Sequence, residues 1–372
     1  MTKRLASTAL TAALVGASAS APPAVASEPD SHPPLRIVVI GLTHGHVEGV
    51  LHHARDRTDI DLVGVWDPNP TLFDKFKGKY ALDDGLYYDD LGAMLDETKP
   101  QAASVMTSTL GHRAAVEACA PRGVHVMVEK PLATTGADAR AMAALAEQHG
   151  VHLLTNYETS WYASNRRAGE ALASGEIGTL RRAVFRHGHK GPVEIGCAPE
   201  FLEWLTDPEE NGAGALFDFG CYGANLMTWF MEGQRPESVT ATTRRLKPGV
   251  YPRVDDDATI VLAYPSAVAV LQASWAWTHS VKETDVYAEG GSVHAGPWRA
   301  VAERDPDAQP VSRELLHPAA PMDNEWSYLR ALVQGRCGVD PLSSLENNLL
   351  VVEILAAARE SARTGEAVRL AD

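Results

Sequence analysis

Short apolar runs alternate with amphipathic stretches of helical length over the first 155 residues. Each run is short enough for a strand, and the runs cover residues 35–40, 62–66, 102–106, 124–128 and 151–155. Continuous apolar runs are typical of strands that are buried on both faces of a parallel sheet. The amphipathic stretches predict helices at residues 47–57, 91–97, 114–121 and 137–149. We therefore predict a complete doubly wound sheet by residue 155.

The pattern changes beyond residue 156. Apolar and polar residues now alternate in runs that follow one another without helices between them, at residues 182–186, 238–244, 258–264 and 267–275. Such runs are typical of an antiparallel sheet. Helical patterns return at residues 324–333 and 345–364, and we expect these helices to pack back on the first domain or on the sheet.

A chain of 372 residues is long enough for two domains. The predicted fold class is α/β followed by α+β. An N-terminal Rossmann domain with a doubly wound parallel sheet is expected over residues 35–155. An open, mainly antiparallel sheet domain for substrate binding and oligomerisation is expected over residues 156–372.

The first 26 residues have the order of an export signal. Lys3 and Arg4 precede an apolar run at residues 5–19, and Ala24-Val25-Ala26 supplies the small residues of a cleavage site. The run is too short and too weakly apolar for a permanent membrane span. We predict cleavage after Ala26 and a periplasmic or secreted protein. A disordered tail rich in alanine and proline is the alternative.

The charge and the cysteines exclude several classes of function. A formal net charge of −15 and the lack of a basic stripe argue against a nucleic-acid partner. Four cysteines lie far apart without a Cys-x-x-Cys pair, so neither a zinc site nor a disulfide framework is indicated. We expect a small-molecule ligand, no membrane span and a homo-oligomer.

A glycine turn follows the first strand, and an acidic residue follows the second. A strand, a glycine turn, a helix and a second strand that ends in an acid form a dinucleotide-binding unit, and Asp67 favours NAD over NADP. Thr43 and His46 stand where the second and third glycines of the usual pattern would be. The alternative is a sheet whose switch point holds no nucleotide. The predicted cofactor contacts of this unit are Gly41, Leu42, Thr43, His44, Gly45, His46 and Asp67.

The strand at residues 124–128 ends in Glu129, Lys130 and Pro131. Ligands of open parallel sheets bind at the carboxyl ends of the strands, so Glu129 and Lys130 are candidates for chemistry. A solvated loop that carries a Glu-Lys pair is the alternative. The remaining predicted cofactor contacts are Glu129 and Lys130 themselves and, from the loop after the preceding strand, Thr107, Ser108 and His112.

A second glycine-rich segment, residues 211–230, carries Asp218 and Tyr222. Residues four apart share one face of a helix, so we expect the carboxylate and the phenol to lie side by side. Leu226 and Phe230 continue that face, and a core face is therefore the alternative interpretation.

Taken in this order, the motifs resemble those of the Gfo/Idh/MocA family, which includes glucose–fructose oxidoreductase and inositol 2-dehydrogenase. The resemblance covers about residues 35–370. It implies a Rossmann domain, a larger open sheet and a nicotinamide cofactor between them. It also implies that Lys130 and Asp218 match the family's lysine and aspartate. Tyr222 matches the branches that carry tyrosine where many members carry histidine.

We predict Lys130, Tyr222 and Asp218 as the catalytic residues. Lys130 is expected to lower the pKa of Tyr222 so that the phenol acts as a base, while Asp218 holds Lys130 charged. An ion pair that merely joins the two domains is the alternative. Aromatic and hydrogen-bonding side chains are expected to form the substrate wall, and no metal is predicted. The candidate wall residues are Trp161, Tyr162, His187, His189 and Lys190.

Export restricts the chemistry, because free NAD is scarce outside the cytoplasm. The first hypothesis is therefore an exported sugar oxidoreductase that keeps its NAD tightly bound. The second is redox-neutral, NAD-dependent glycoside cleavage, in which transient oxidation of a sugar permits elimination. A non-catalytic sugar-binding protein is the third.

Overall fold

A six-stranded parallel sheet forms the N-terminal part of the structure. The structure is a computed structural model, and it describes residues 32 to 370, so the predicted export signal lies outside the described residues. The strand order is β3-β2-β1-β4-β5-β6, which is the doubly wound order with its switch point between β1 and β4. The predicted fold class is confirmed. The strands are β1 (Leu35–Ile40), β2 (Ile60–Trp66), β3 (Tyr87–Tyr88), β4 (Ala102–Val105), β5 (His125–Glu129) and β6 (Leu153–Asn156).

Helices connect these strands and cover both faces of the sheet. Successive residues of β1 enter different cores: Ile37 and Val39 pack into one cluster, and Val38 and Ile40 into the other. This two-sided burial explains the continuous apolar run. The sequence did not indicate the second helix or the short strand β3. The helices are α1 (Val47–Arg55), α2 (Pro70–Tyr80), α3 (Leu91–Thr98), α4 (His112–Cys119) and α5 (Gly136–His149).

A nine-stranded sheet forms the second part. It is mainly antiparallel, as predicted, but β7 and β10 are parallel neighbours. The sheet order is β14-β13-β12-β11-β7-β10-β9-β8-β15. The strands are β7 (Leu180–Gly188), β8 (Ser238–Arg244), β9 (Asp257–Ala263), β10 (Val268–Ser274), β11 (Val281–Ala288), β12 (Gly291–Ala295), β13 (Ala300–Arg304), β14 (Val311–Glu314) and β15 (Val368–Arg369).

Of the remaining helices, Glu325–Val333 packs into the core on one face of the first sheet, and most of the others belong to the second part. The expected single helix through Asp218 and Tyr222 is interrupted at Phe219, so the two residues lie on separate short helices. The last helix contacts α5 of the first part and β8 of the second, as expected for a helix that packs back. These helices are α6 (Ala163–Ala173), α7 (Pro199–Leu205), α8 (Ala215–Asp218), α9 (Gly220–Phe230), α10 (Glu325–Val333) and α11 (Leu345–Thr364).

Residues from Pro34 onward form one compact unit. No helix among residues 32 to 370 has the length and apolar character needed to cross a membrane. The four cysteines are free thiols, and two of them, Cys119 and Cys221, are buried.

Candidate functional site

The carboxyl end of β5 holds a buried ion pair. The Lys130 ammonium pairs with the Asp218 carboxylate and also donates to the Asp218 carbonyl oxygen at 3.0 Å. Trp275 Nε1 donates to the second carboxylate oxygen at 2.8 Å. Although burial opposes both shifts, the opposite charges lower the pKa of Asp218 and raise the pKa of Lys130. The pair therefore stays charged and joins the first sheet to the helices of the second part.

Tyr222 lies between two ammonium groups. The Nζ atoms of Lys130 and Lys282 lie 5.0 and 4.9 Å from the centre of its ring. Such contacts are attractive between an ammonium group and the face of an aromatic ring. Burial, followed by the nearby carboxylate of Glu158, raises the pKa of Tyr222 well above its ordinary value. The expectation that Lys130 would lower this pKa is therefore wrong, and Tyr222 stays a neutral phenol.

A cavity of about 470 Å³ opens beside this pair. Its wall includes Lys130, Asp218, Tyr222, His189 and Tyr162, so the structure brings together the predicted catalytic residues and two of the predicted wall residues. Burial lowers the pKa of His189, and its imidazole is therefore neutral at pH 7. The volume is in the range of small-molecule sites.

Two other predicted wall residues, His187 and Lys190, do not line this cavity. His187 is only 2% exposed and packs behind Tyr222, with the ring centroids 5.6 Å apart. Burial lowers the pKa of His187 to about 3. The Lys190 side chain is exposed, and its carbonyl oxygen accepts a hydrogen bond from Lys247 Nζ at 2.6 Å. Of the predicted wall residues His187, His189 and Lys190, only His189 lines the cavity.

The predicted aromatic wall residues lie on the other side of the cavity. The Tyr162 hydroxyl donates to Glu158 at 2.6 Å, and Glu158 forms an ion pair with Lys282. Trp161 lines an adjoining cavity of about 580 Å³ with Trp298 and Glu158. The sequence did not indicate three further residues of these walls: Lys282, Trp298 and Glu158. Glu158 lies within residues 156–162, beside the predicted wall residues Trp161 and Tyr162, and this position was the only available signal.

The glycine turn after β1 is tightly built. Gly41 has a φ of +87°, and a Cβ atom at this position would lie 2.8 Å from the Thr107 amide nitrogen. Thr107 donates from its hydroxyl to the Ser108 carbonyl oxygen at 3.0 Å. The buried ring of His112 donates from Nδ1 to the Leu132 carbonyl oxygen at 3.1 Å. Burial lowers the pKa of His112 to about 4.

Four backbone donors of the turn have acceptors within the chain. The Leu42 amide donates to the Asp67 carboxylate at 2.7 Å, and the His44 amide donates to the Met106 carbonyl oxygen at 3.0 Å. The His46 amide donates to His44 Nδ1 at 3.1 Å, and the Val47 amide to the His44 carbonyl oxygen at 3.1 Å. A phosphate at such a turn requires free N–H groups. Asp67, which was expected to bind ribose, is only 1% exposed.

Residues 199–211, which we term the covering segment, lie over the same turn. Trp204 Nε1 donates to the Thr43 carbonyl oxygen at 3.3 Å. The Phe201 ring lies 3.4 Å from the position that a Cβ atom on Gly45 would take. Ser108 donates to Glu210 at 2.6 Å. The covering segment therefore packs directly against the turn that is predicted to bind NAD.

Two ring nitrogens and a carboxylate converge where the turn meets the end of β5. His46 Nδ1 lies 3.0 Å from a carboxylate oxygen of Glu129, and Asn156 donates to the other oxygen at 2.8 Å. His44 is buried beside them, with its ring centroid 4.7 Å from that of His46. Although burial opposes it, His46 holds the pKa of Glu129 well below its ordinary value.

Two family models match the chain. Residues 35–157 match the model described as oxidoreductase family, NAD-binding Rossmann fold. Residues 165–294 match the Gfo/Idh/MocA C-terminal domain. The matches follow each other in the order of the two sheets.

Similar proteins are dehydrogenases and oxidoreductases. Trans-1,2-dihydrobenzene-1,2-diol dehydrogenase of Macaca fuscata fuscata is 27% identical over 62% of this chain, which spans 65% of that enzyme's length. D-apiose dehydrogenase of Paraburkholderia graminis is 26% identical, and 86% of each chain is covered.

Two solved structures share the fold. Aldose-aldose oxidoreductase from Caulobacter crescentus, complexed with glycerol, has a TM-score of 0.77 and 23% identity, and 91% of this chain and 100% of that chain are covered. An inositol dehydrogenase homolog from Azotobacter vinelandii, complexed with NAD⁺, has a TM-score of 0.78 and 20% identity, with coverage of 91% and 98%. With both family models matched in order, the chain belongs to the Gfo/Idh/MocA family of oxidoreductases, whose N-terminal domain is an NAD-binding Rossmann fold.

Proposed function

We propose that this protein is an oxidoreductase that acts on a sugar or sugar derivative in the cavity beside Lys130. The observation that carries the proposal is the buried Lys130–Asp218 pair at the cavity wall, next to a Tyr222 ring flanked by two ammonium groups. Aromatic faces and polar tips line the same space, which suits a ligand with many hydroxyl groups. Relatives that act on a diol and on apiose support the substrate class.

His189 is the base that the geometry supports best. Oxidation of a carbinol, whichever acceptor takes its hydride, needs a base for the hydroxyl proton. His189 is neutral and lines the cavity. Its Nδ1 accepts a hydrogen bond from the Gly191 amide at 2.9 Å, so this nitrogen takes the substrate proton when that hydrogen bond opens. Tyr222 is protonated and can only donate a hydrogen bond to the substrate oxygen. Lys130 supplies a fixed positive charge that stabilises the alkoxide as it forms.

The retention of NAD and the export of the protein are further parts of this proposal. NAD can reach the glycine turn only after the covering segment has moved, and a cofactor beneath that segment would be enclosed by Phe201 and Trp204. Enclosure supports slow release and hence a tightly held cofactor. The case for export rests on Lys3, Arg4 and the run that ends at Ala26. The expected homo-oligomer is likewise proposed.

Redox-neutral cleavage of a glycoside is the second candidate function. The observation that favours it is the covering segment over the turn, since an enzyme of this kind has no need to exchange NAD with solution. Net oxidation by exchange of free cofactor would be difficult through a covered groove. A neutral histidine near a fixed ammonium also suits the proton transfers of an elimination.

One set of assays separates the candidates. Purified protein is first denatured, and the released nucleotide is identified by mass. Native protein is then incubated with aldoses and with aryl glycosides, with and without added NAD. Release of the aryl group without added NAD supports cleavage, and oxidation of an aldose supports the oxidoreductase. Binding of a sugar without turnover in any assay would contradict both and leave a sugar-binding protein.

A further inference from the structure

The glycine turn and the end of β5 form a group of metal-ligand type. Among residues 32 to 370, His44, His46 and Glu129 are the one set of three such side chains that offers ligand atoms within 4.8 Å of one another. Two imidazoles and one carboxylate are the protein ligands of many catalytic zinc sites, with the fourth position left for water or substrate. The usual glycine pattern has a glycine, which offers no ligand, at the position of His46.

Other residues hold the carboxylate in place. Asn156 donates to one oxygen of Glu129 at 2.8 Å, and Trp161 Nε1 donates to the Asn156 side-chain oxygen at 3.1 Å. The second oxygen of Glu129 faces His46 Nδ1 at 3.0 Å. Such hydrogen bonds from outside the ligand set fix the direction of a metal-binding carboxylate.

The two histidines differ in access. The His46 side chain is 41% exposed and lines both cavities, whereas His44 is only 2% exposed and its ring packs against Phe201 and Trp204. The His46 amide donates to His44 Nδ1, so a metal bound through that atom would replace this hydrogen bond. The open side of the group faces the cavity beside Glu158.

We propose that His44, His46 and Glu129 bind one divalent transition-metal ion of the zinc class, with its open position toward the cavity. This site goes beyond the proposed function and does not depend on it, because metal binding can be measured without turnover. Imidazole and carboxylate ligands suit Zn²⁺ and Co²⁺ and disfavour Ca²⁺ and Mg²⁺, which take oxygen ligands. A metal-free His46–Glu129 contact that only joins the turn to β5 is the competing account.

The test uses the full chain after removal of metal with EDTA. Co²⁺ is titrated into the protein and followed by its visible absorption, and the Zn²⁺ content is then measured after dialysis. We expect one equivalent of either ion. His46→Ala should lower the affinity at least about 100-fold, since loss of a residue that only orients a ligand already costs about 10- to 100-fold.

The matched control is His294→Ala. His294 also contacts a carboxylate, that of Asp285 at 2.7 Å, and its side chain is 40% exposed, but it lies on β12 and outside the group. This variant should bind Co²⁺ as the wild type does. Equal binding by the wild type and His46→Ala, or no binding by the wild type, would overturn the proposal. Far-UV circular dichroism of each variant confirms folding, and Asn156→Ala, with about a 10-fold loss expected, gives a second route to the same answer.

Discussion

Two pairs of histidines with the same spacing have different surroundings in this protein. His44 and His46 lie in a turn where a carboxylate meets them, while His187 and His189 lie at the end of β7 among aromatic rings and ammonium groups. The first pair has a carboxylate within hydrogen-bond distance of one ring, and the second has Lys282 nearby. The spacing of two histidines therefore does not decide their chemistry. Their chemistry depends instead on the residue that another element of the fold places beside them.

The difference follows from the backbone. His187 lies within β7, where its side chain enters the core, and His189 follows the last strand residue and reaches the cavity. Along the turn, the chain reverses and presents His46 to the end of β5. The first pair thus offers ligands to a cation, and the second offers one buried neutral ring and one accessible base.

Loss of the charge near the second pair should have the largest effect. Lys130→Met leaves the Asp218 carboxylate buried without its partner, and we expect a loss of about 3–5 kcal/mol in the free energy of unfolding. The double variant Lys130→Met/Asp218→Asn should recover most of that stability and stay inactive. Denaturant unfolding and turnover assays measure the two effects. Lys79→Met, which breaks an exposed pair with Glu48, is the control and should change neither. A fully active double variant would show that the pair is only structural.

Removal of His189, the accessible base, should have the second-largest effect. His189→Ala is expected to lower turnover at least about 100-fold, the usual scale for a lost acid–base contribution, while the protein stays folded. The pH profile of turnover should lose the limb that reports this imidazole. Unchanged turnover would show that another residue is the base. His294→Ala again serves as the control, since that ring lies outside the cavity wall.

Burial of the His187 ring should make the stability of the protein depend on pH. The pKa of His187 is about 3 in the folded chain, and about 6.5 is the ordinary value in the unfolded chain. Between these values the unfolded chain binds the extra proton, so stability is complete above about pH 6.5 and falls as the pH is lowered. Between pH 7.5 and 5, the free energy of unfolding of His187→Phe should therefore fall by about 1–2 kcal/mol less than that of the wild type. Parallel unfolding curves at the two pH values would contradict this, and His317→Ala, at an exposed histidine, should behave as the wild type.

The phenol between the two ammonium groups should show the smallest effect. Tyr222→Phe keeps the ring and its contacts with Lys130 and Lys282, and removes only a hydrogen-bond donor. We expect turnover to fall about 10-fold, which corresponds to one hydrogen bond. Steady-state kinetics measure it. A loss as large as that of His189→Ala would return the role of base to Tyr222.

The sequence indicated the first sheet well because its signal is local. The apolar runs of β1 and β5 are buried on both faces, and Lys130 follows directly at the end of a strand. The parallel pairing of β7 with β10 has no such local signal, since strands distant in sequence can pair in either direction. The same holds for the single break at Phe219, which a helical pattern of apolar residues does not reveal.

Part of the site is formed by residues that are far apart in the sequence. Lys282 and Glu158 meet across 124 positions of sequence, and neither has a motif around it. Trp204 and Thr43 are similarly far apart, so the cover over the glycine turn could not be inferred from the turn itself. The predicted pKa of Tyr222 was wrong for a related reason. The position of an ammonium over a ring, instead of beside its hydroxyl, is a feature of three-dimensional packing.

The contacts of the glycine turn depend on its backbone more than on the two residues that depart from the usual pattern. Replacing Thr43 and His46 by glycine would restore the letters of that pattern. The amides of Leu42 and His44 would still have their acceptors, and Trp204 would still bind the turn through a backbone carbonyl oxygen. Drift at positions 43 and 46 can therefore change the side chains that face the nucleotide while the cover over the turn is kept.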